Sequence, residues 1–398
     1  MRISFKALEY ESPEPYGPLA GVKVVDLTSV GMGPYATQIL GDMGADVIKI
    51  ESPEGDVFRH AEPFHSEGMG AIFMNLNRNK DSLTLDLKNT DDLVHLNALI
   101  AQADVFVSNV RPRALIKLGL DYETLAKSNE RLIYCAAVGF GQDGPYAERP
   151  AFDDIIQAMS GMADLQGRNT GAPSYVSTIM ADKVAGLTLA YAIPMALYER
   201  EKSGRGQAVE VPMFETLVSF CMIEHMGGEV FDPPLGSMGY GRVLSPHRKP
   251  YRSKDGFVSV VPYTDAQWQR FFTLSGHPEL AADTRFVNAR TRSTNFDALY
   301  RFLSEIVQLR TTDEWIELLG PADIPVAAVI SPEELLEDEH LKQTGFFVKR
   351  EHPTEGMVRL MNIPTRFSRT PGRIAKLPQR QDAHWHAADH PLVQSEPD

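Results

Sequence analysis

Cysteine is scarce: two in 398 residues, Cys135 and Cys221, both set in apolar sequence. That excludes a disulfide framework and a thiolate metal centre, and both read as buried thiols. His60, His65 and His225 lack the spacing of a ligand set, so no metal is expected. Long apolar runs are also missing. The longest, Val184 to Leu197, falls short of the roughly 20 residues that span a bilayer and is interrupted by Pro194. The opening residues, Met1-Arg-Ile-Ser-Phe-Lys6, lack the apolar centre of a signal peptide. No membrane association is expected, and a reducing cytoplasm is the simplest compartment. Positive charge is not in excess. Lys and Arg number 39 against 53 Asp and Glu, a net charge of −14, which argues against nucleic acid as a partner. An acidic chain that binds a polyphosphate must gather its cations locally, so basic clusters matter.

The chain is too long for one ordinary core, and two or three domains are expected. Gly21 to Asp26 reads as a strand, Gly31-Met-Gly-Pro-Tyr35 as a turn, Ala36 to Met43 as a helix and Ala45 to Glu51 as a second strand. This β-turn-α-β unit builds parallel sheets. Further strands are expected at Leu83–Leu87, Asp104–Val107 and Leu132–Val138. Helices are expected at Thr90–Gln102, Ala114–Leu118 and Tyr122–Asn129. The alternation predicts a doubly wound α/β domain. Gly31-x-Gly33 lacks the third glycine of a dinucleotide fingerprint, which speaks against a nicotinamide oxidoreductase.

Beyond Gln207 the character changes. Residues 225–250 are rich in Gly, Pro and Met and read as a crossing segment. Tyr251–Val261 reads as a hairpin about Asp255-Gly256. Gln267–Ser275, Asn295–Leu309 and Thr312–Leu319 read as helices, giving a small α+β domain over 225–325. A strand at Ile324–Ile330 and a helix at Glu333–Lys342 follow. From Lys376 the sequence reads as a polar, partly mobile arm.

One segment stands out. Asp182 precedes an apolar helix carrying two stripes, Val184-Leu187-Tyr191 and Leu189-Ile193-Leu197, which predicts burial on both sides. Asp182 itself occupies the place of an N-cap. Ser203-Gly204-Arg205-Gly206 stops the helix, and Ala208–Val211 reads as a strand.

With Pro18–Asp26, Gly44–Glu51, Asn79-Lys80, Asn109-Val-Arg-Pro112, Gly139–Tyr146 and Ile324-Pro325, this segment resembles the class III coenzyme A transferases from about Pro18 to Pro371. The resemblance implies a large Rossmann-like domain built from both chain ends (1–224 and 326–398), a small α+β domain (225–325), and an interlocked homodimer. It implies an enzyme that moves coenzyme A from a donor acyl-CoA, of succinyl-CoA type, to a small mono- or dicarboxylic acid. Acyl-CoA is then a substrate, and no tightly bound cofactor is expected. Asp182 is implied as the covalent nucleophile and Asp153 as an acidic residue that helps around the active site, the alternative being that it caps the helix Ile155–Met159 with Asp154; backbone N–H groups around Gly139 to Gly141, or near Asp182, are candidates to hold an oxyanion. Coenzyme A contacts are implied at Val30, Lys80, Asn109, Arg111, Ala114 and Lys117. Arg113, Arg78 and Lys88 lie close in sequence. Ser52 stands where the family often has a basic residue, and Lys49 or Arg59 are candidates to compensate.

Racemases of the same superfamily carry Gly-His-Asp where this chain has Ala151-Phe152-Asp153, and Phe152 cannot move a proton. Oxalate-using formyl-CoA transferases carry consecutive glycines, whereas here Gly236-Ser-Met-Gly-Tyr-Gly241 are spaced, which does not favour oxalate. A racemase-type enzyme and a non-catalytic acyl-CoA-binding homologue stay as alternatives. The basic stretch Ser245-Pro-His-Arg-Lys-Pro250 offers Arg248 or His247 to an acceptor's distal carboxylate, or is a solvated loop or dimer contact.

Overall fold

A computed structural model describes residues 15–168 and 170–381. The chain forms two compact units. The larger takes the described residues of Met1–Ser160, Val176–Phe220 and His340–Asp398; the smaller is Gly161–Tyr175 with Cys221–Glu339. In sequence the smaller unit therefore runs past the limits 225 and 325.

The larger unit holds a six-stranded parallel sheet: β1 (Lys23–Leu27), β2 (Asp46–Glu51), β3 (Lys80–Thr84), β4 (Val105–Ser108), β5 (Ile133–Val138) and β6 (Gln207–Pro212), in the order β3-β2-β1-β4-β5-β6. The β-branched runs at 23–27 and 105–108 form central strands because both faces are covered. Val25, Phe106, Ile48 and Ile100 are fully sequestered in one apolar cluster. The order reverses between β1 and β4. Loops leaving these two strands diverge to opposite faces, which opens a crevice at their carboxyl ends.

Several elements differ from the sequence reading. The helix after β1 begins at Met32, not Ala36. The expected turn is its first turn, where Pro34 loses nothing because that N–H has no helical partner. β3 starts three residues early, fixed by pairing Val47 with Lys80 and Glu51 with Thr84. The helix expected over 122–129 ends at Leu125, and 333–342 breaks into Glu334–Leu336 and Glu339–Gln343. The long helix Met180–Ser203 ends on left-handed Gly204, as its turn residues predict, but only one stripe is buried. Leu189 and Ile193 are sequestered; Leu187, Tyr191, Met195 and Tyr198 are exposed. Cys135 and Cys221 are free and buried.

A hairpin of β10 (Phe347–His352) and β11 (Gly356–Met361) belongs to the larger unit. The start of the expected arm is anchored. The Asn79 N–H donates to the Lys376 carbonyl (3.0 Å), and Arg59 Nη1 donates to the Gln379 carbonyl (3.0 Å). The rest of the arm lies outside the described residues. No helix among those described is long and apolar enough to cross a membrane.

The smaller unit carries an antiparallel sheet of β7 (Tyr251–Arg252), β8 (Phe257–Val260) and β9 (Val326–Ala328) in the order β7-β8-β9. Helices Asp265–Leu274, Phe296–Val307 and Thr312–Leu319 pack Phe271, Leu299, Leu303 and Trp315 into its own core.

Candidate active site

The crevice is built around residues 28–31, whose backbone is gripped by side chains from several elements. Asp26 Oδ1 accepts from the Thr28 N–H (3.0 Å) and hydroxyl (2.5 Å). Lys49 Nζ donates to the Thr28 carbonyl (2.6 Å). Asn109 closes on Ser29 from both sides: its Oδ1 accepts from the N–H (3.1 Å) and its Nδ2 donates to the carbonyl (2.8 Å). Asp56 Oδ1 accepts from the Val30 N–H (3.3 Å). Val30 sits at φ 70°. That region costs a β-branched residue about 1–3 kcal/mol, so it persists only where neighbours over-determine it.

Behind the loop lie three buried ion pairs: Lys49–Asp56 (2.9 Å), Arg59–Glu51 (2.6 Å) and Lys80–Asp26 (3.2 Å). Burial alone would raise Glu51, but its bonds to Arg59, with the Lys49 charge, bring it down to about 2. Burial likewise opposes Asp26, yet Lys80 and Lys49 hold it below the usual carboxylate range. Burial pulls Lys80 down to about 8 despite Asp26.

Asp182 is the third residue of its helix, not the cap. Ile179 holds the cap position and offers no side-chain bond. The Asp182 N–H, one of the helix's orphan donors, is satisfied instead by Asp153 Oδ1 (3.0 Å). Asp153 is held in turn by Gln157 Nε2 (2.6 Å), and Gln157 Oε1 accepts from the Val176 N–H (2.9 Å). The Asp182 carboxylate faces Gly31. A methyl there would lie 2.5 Å from Oδ2, so glycine is needed for close approach and not for its φ. The residue as a whole is 8% exposed. Burial pushes it up to about 6, the Asp153 charge adds to the rise, and a hydrogen bond from the Met32 N–H works against both. At neutral pH it is therefore mostly ionised yet poorly solvated.

A cleft of about 390 Å³ opens over this group. Of the residues singled out in the sequence, Val30, Asn109, Arg111, Gly139 and Asp182 line it together. Glycine at 139 is required because a methyl would meet the Ala151 Cβ at 2.3 Å. Asp153 stands behind Asp182 and is buried. Other expected contacts are placed elsewhere. Lys80 is 2% exposed and its amine is used by Asp26, the Pro34 carbonyl (2.9 Å) and Asn77 Oδ1 (2.9 Å). It is a structural cation, not one that reaches the cleft. Ala114 and Lys117 do not line the cleft; Lys117 is exposed on the helix Pro112–Leu118. Arg113 pairs with Glu148 (2.7 Å) on the surface, and Arg78 is buried against Asp42 (2.7 Å). Lys49 and Arg59 are consumed by their buried partners and do not compensate for Ser52. The Gly141 N–H is taken by Glu215 (3.1 Å) and the Gln142 N–H by Glu210 (3.2 Å), so neither is open to an oxyanion.

Sequence reasoning missed Gly31, Met32, Asp56 and Arg149. Arg149 lines the cleft and stacks 3.9 Å over the Tyr146 ring. The signal for Gly31 lies in Gly31-x-Gly33, which in sequence reads as a turn and an incomplete nucleotide fingerprint. Among the described residues no group of three or more His, Cys, Asp or Glu could hold a metal ion.

The raised Asp182 value has a sign that can be measured. The folded state holds this proton more tightly than the unfolded chain, whose value is 3.8. Ionisation therefore lowers stability, by nothing below pH ~4 and by on the order of 2–3 kcal/mol above pH ~6. Asp182→Asn should unfold at higher urea than wild type at pH 8, with the gain shrinking as pH falls toward 4. Equal midpoints at both pH values would show that the carboxylate is not desolvated.

Residues 19–384 match the family model described as CoA-transferase family III. An acetyl-CoA:oxalate CoA-transferase of Acetobacter aceti is 34% identical over 83% of this chain and 85% of its own. A succinate–glutarate CoA-transferase of Agrobacterium fabrum is 30% identical over 92% and 93%. Among solved structures, a CAIB/BAIF family protein from Brucella suis is 32% identical with a TM-score of 0.77, covering 92% of this chain and 96% of that one. Rv3272 from Mycobacterium tuberculosis is 27% identical with a TM-score of 0.78, covering 92% and 97%. A family match over nearly the whole chain, on a six-stranded parallel sheet of the same fold, makes this chain an enzyme of CoA-transferase family III.

Proposed function

We infer that this enzyme moves coenzyme A from an acyl-CoA donor of succinyl-CoA type to a small carboxylic acid through a covalent intermediate on Asp182. The observation that carries the reading is the buried carboxylate set against Gly31 with its value raised to about 6. A carboxylate is a weak nucleophile in water; partial desolvation next to one backbone donor makes it stronger while keeping it ionised.

The steps balance as follows. An Asp182 oxygen attacks the donor thioester carbon, the C–S bond breaks, and a mixed anhydride and a CoA thiolate result. The thiolate attacks the Asp182 acyl carbon, releasing the donor acid as its carboxylate and leaving an aspartyl-CoA thioester. The acceptor carboxylate attacks that carbon and expels the thiolate, giving a second anhydride. The thiolate then attacks the acceptor's acyl carbon and frees Asp182. Three of these steps, the two attacks on the Asp182 acyl carbon and the final release of its carboxylate, build charge on an Asp182 oxygen, where the Met32 N–H donates. Val30, Asn109 and Arg111 on the cleft wall are our choice for coenzyme A contacts, with Arg149 as a further cation for its phosphates.

The two relatives are named for oxalate and for succinate and glutarate, all dicarboxylic acids, which favours a dicarboxylic acceptor. Oxalate belongs among the acids to be tried despite the spaced glycines at 236–241. Phe152 lines the cleft and brings no acid or base, which supports transfer over racemisation. We also expect a homodimer, supported by the exposed stripe Leu187-Tyr191-Met195-Tyr198. Light scattering should give twice the 44.2 kDa chain mass; the monomer mass would refute it.

Mass spectrometry after incubation with succinyl-CoA should show an adduct on Asp182 that hydroxylamine traps and that particular carboxylic acids discharge. Asp182→Ala should carry none and lose turnover. Retained turnover in that variant would remove Asp182 from the reaction.

A further inference from the structure

The smaller unit contains a separate cavity of about 230 Å³, lined by Arg242, Arg248, Lys249, Tyr251, Trp268 and Tyr300 among others. No acidic side chain lines it, and none of the three cations forms an ion pair among the described residues. In a chain of net charge −14, three unneutralised cations around one cavity depart from the usual surface mixture.

The cavity is built and held in shape. Buried Ser245 donates its hydroxyl to Asp297 Oδ1 (2.5 Å), and the Ser245 carbonyl accepts from the Arg248 N–H (3.0 Å). This fixes the loop that delivers Arg248 and Lys249 just before β7. Arg242 Nε donates to the Tyr300 hydroxyl (2.9 Å), which leaves that hydroxyl's own proton free to point elsewhere. Burial, with Tyr300 beside it, pushes the Tyr251 phenol well up against the pull of Arg248 and Arg242, so it stays a donor at neutral pH. Tyr251, Tyr300 and Trp268 are all buried, giving a rigid aromatic wall.

We propose that this cavity binds a small dianion bearing carboxylate or phosphate oxygens, held by Arg242, Arg248 and Lys249 with phenolic donors behind. Guanidinium forks match both oxygen pairs in geometry, and charge-assisted bonds of this kind are the strong ones. The volume equals about eight waters at liquid density, which admits a four-carbon dicarboxylate or one phosphate but not a nucleotide. The site is read from the smaller unit alone and does not rest on the reading of Asp182.

The test is calorimetric titration of the full chain with succinate, with inorganic phosphate and with acetate, repeated on Arg248→Gln/Lys249→Gln. Both replaced side chains are exposed, so the fold is expected to survive, and circular dichroism checks it. Succinate or phosphate should bind with a dissociation constant near or below about 1 mM, and the double variant should weaken that binding at least about tenfold. Acetate, with one charge, should bind at least about tenfold more weakly than the dianion. Binding of succinate but not phosphate supports a carboxylate ligand, and the reverse supports a phosphate. Binding of neither, or binding that the folded double variant retains in full, overturns the site.

Discussion

Everything in the cleft depends on how the backbone from Thr28 to Gly31 is held. Short loops at the carboxyl end of a parallel strand have no partners of their own, and here side chains supply them. Asp26, Lys49, Asn109 and Asp56 each take one or two peptide groups. The result is a left-handed Val30 and a helix that starts at Met32 with its first N–H turned to the Asp182 carboxylate. A loop free to relax would lose both.

This arrangement is expensive in isolation. Burying charges costs several kcal/mol per ion, and attraction repays it only where geometry is good and the remaining bonding capacity is filled. The three pairs behind the loop meet that condition. Each buried cation also bonds a backbone or side-chain acceptor: Lys49 the Thr28 carbonyl, Lys80 the Pro34 carbonyl, Arg59 the Gln379 carbonyl. Pairing has an electrostatic consequence. Three cations are matched by three carboxylates, so little net field reaches Asp182 from behind the loop. Burial and the Asp153 charge raise the Asp182 value, and the Met32 N–H works against them.

Much of this was legible in the sequence. Apolar, β-branched runs marked strands at 21–26, 45–51, 104–107 and 132–138, within two residues of those observed, since central parallel strands need apolar residues on both faces. Asp182 was marked by the inert helix behind it. What escaped depends on partners far away in sequence. Lys80 and Arg59 look available to coenzyme A until Asp26 and Glu51 are seen to face them. Gly31-Met-Gly-Pro looks like a turn because glycine and proline break helices in the interior, yet in a first turn proline's missing N–H is harmless and glycine admits Asp182. The Leu187-Tyr191 stripe looks like core because a sequence shows apolarity and not what covers it. The Met32 donor is a backbone group and carries no residue signature at all.

The central claim is that the Asp56 grip on Val30 sets the Asp182 carboxylate. The direct measurement is the pH dependence of the single-turnover rate of Asp182 acylation, in wild type and in Asp56→Ala. The account predicts a wild-type rate that falls about tenfold per pH unit below an apparent value near 6, because only the ionised form attacks. In Asp56→Ala the Met32 donor is displaced, and the rate at pH 8 should drop by about tenfold or more. A folded Asp56→Ala enzyme with the wild-type profile and rate would contradict the account.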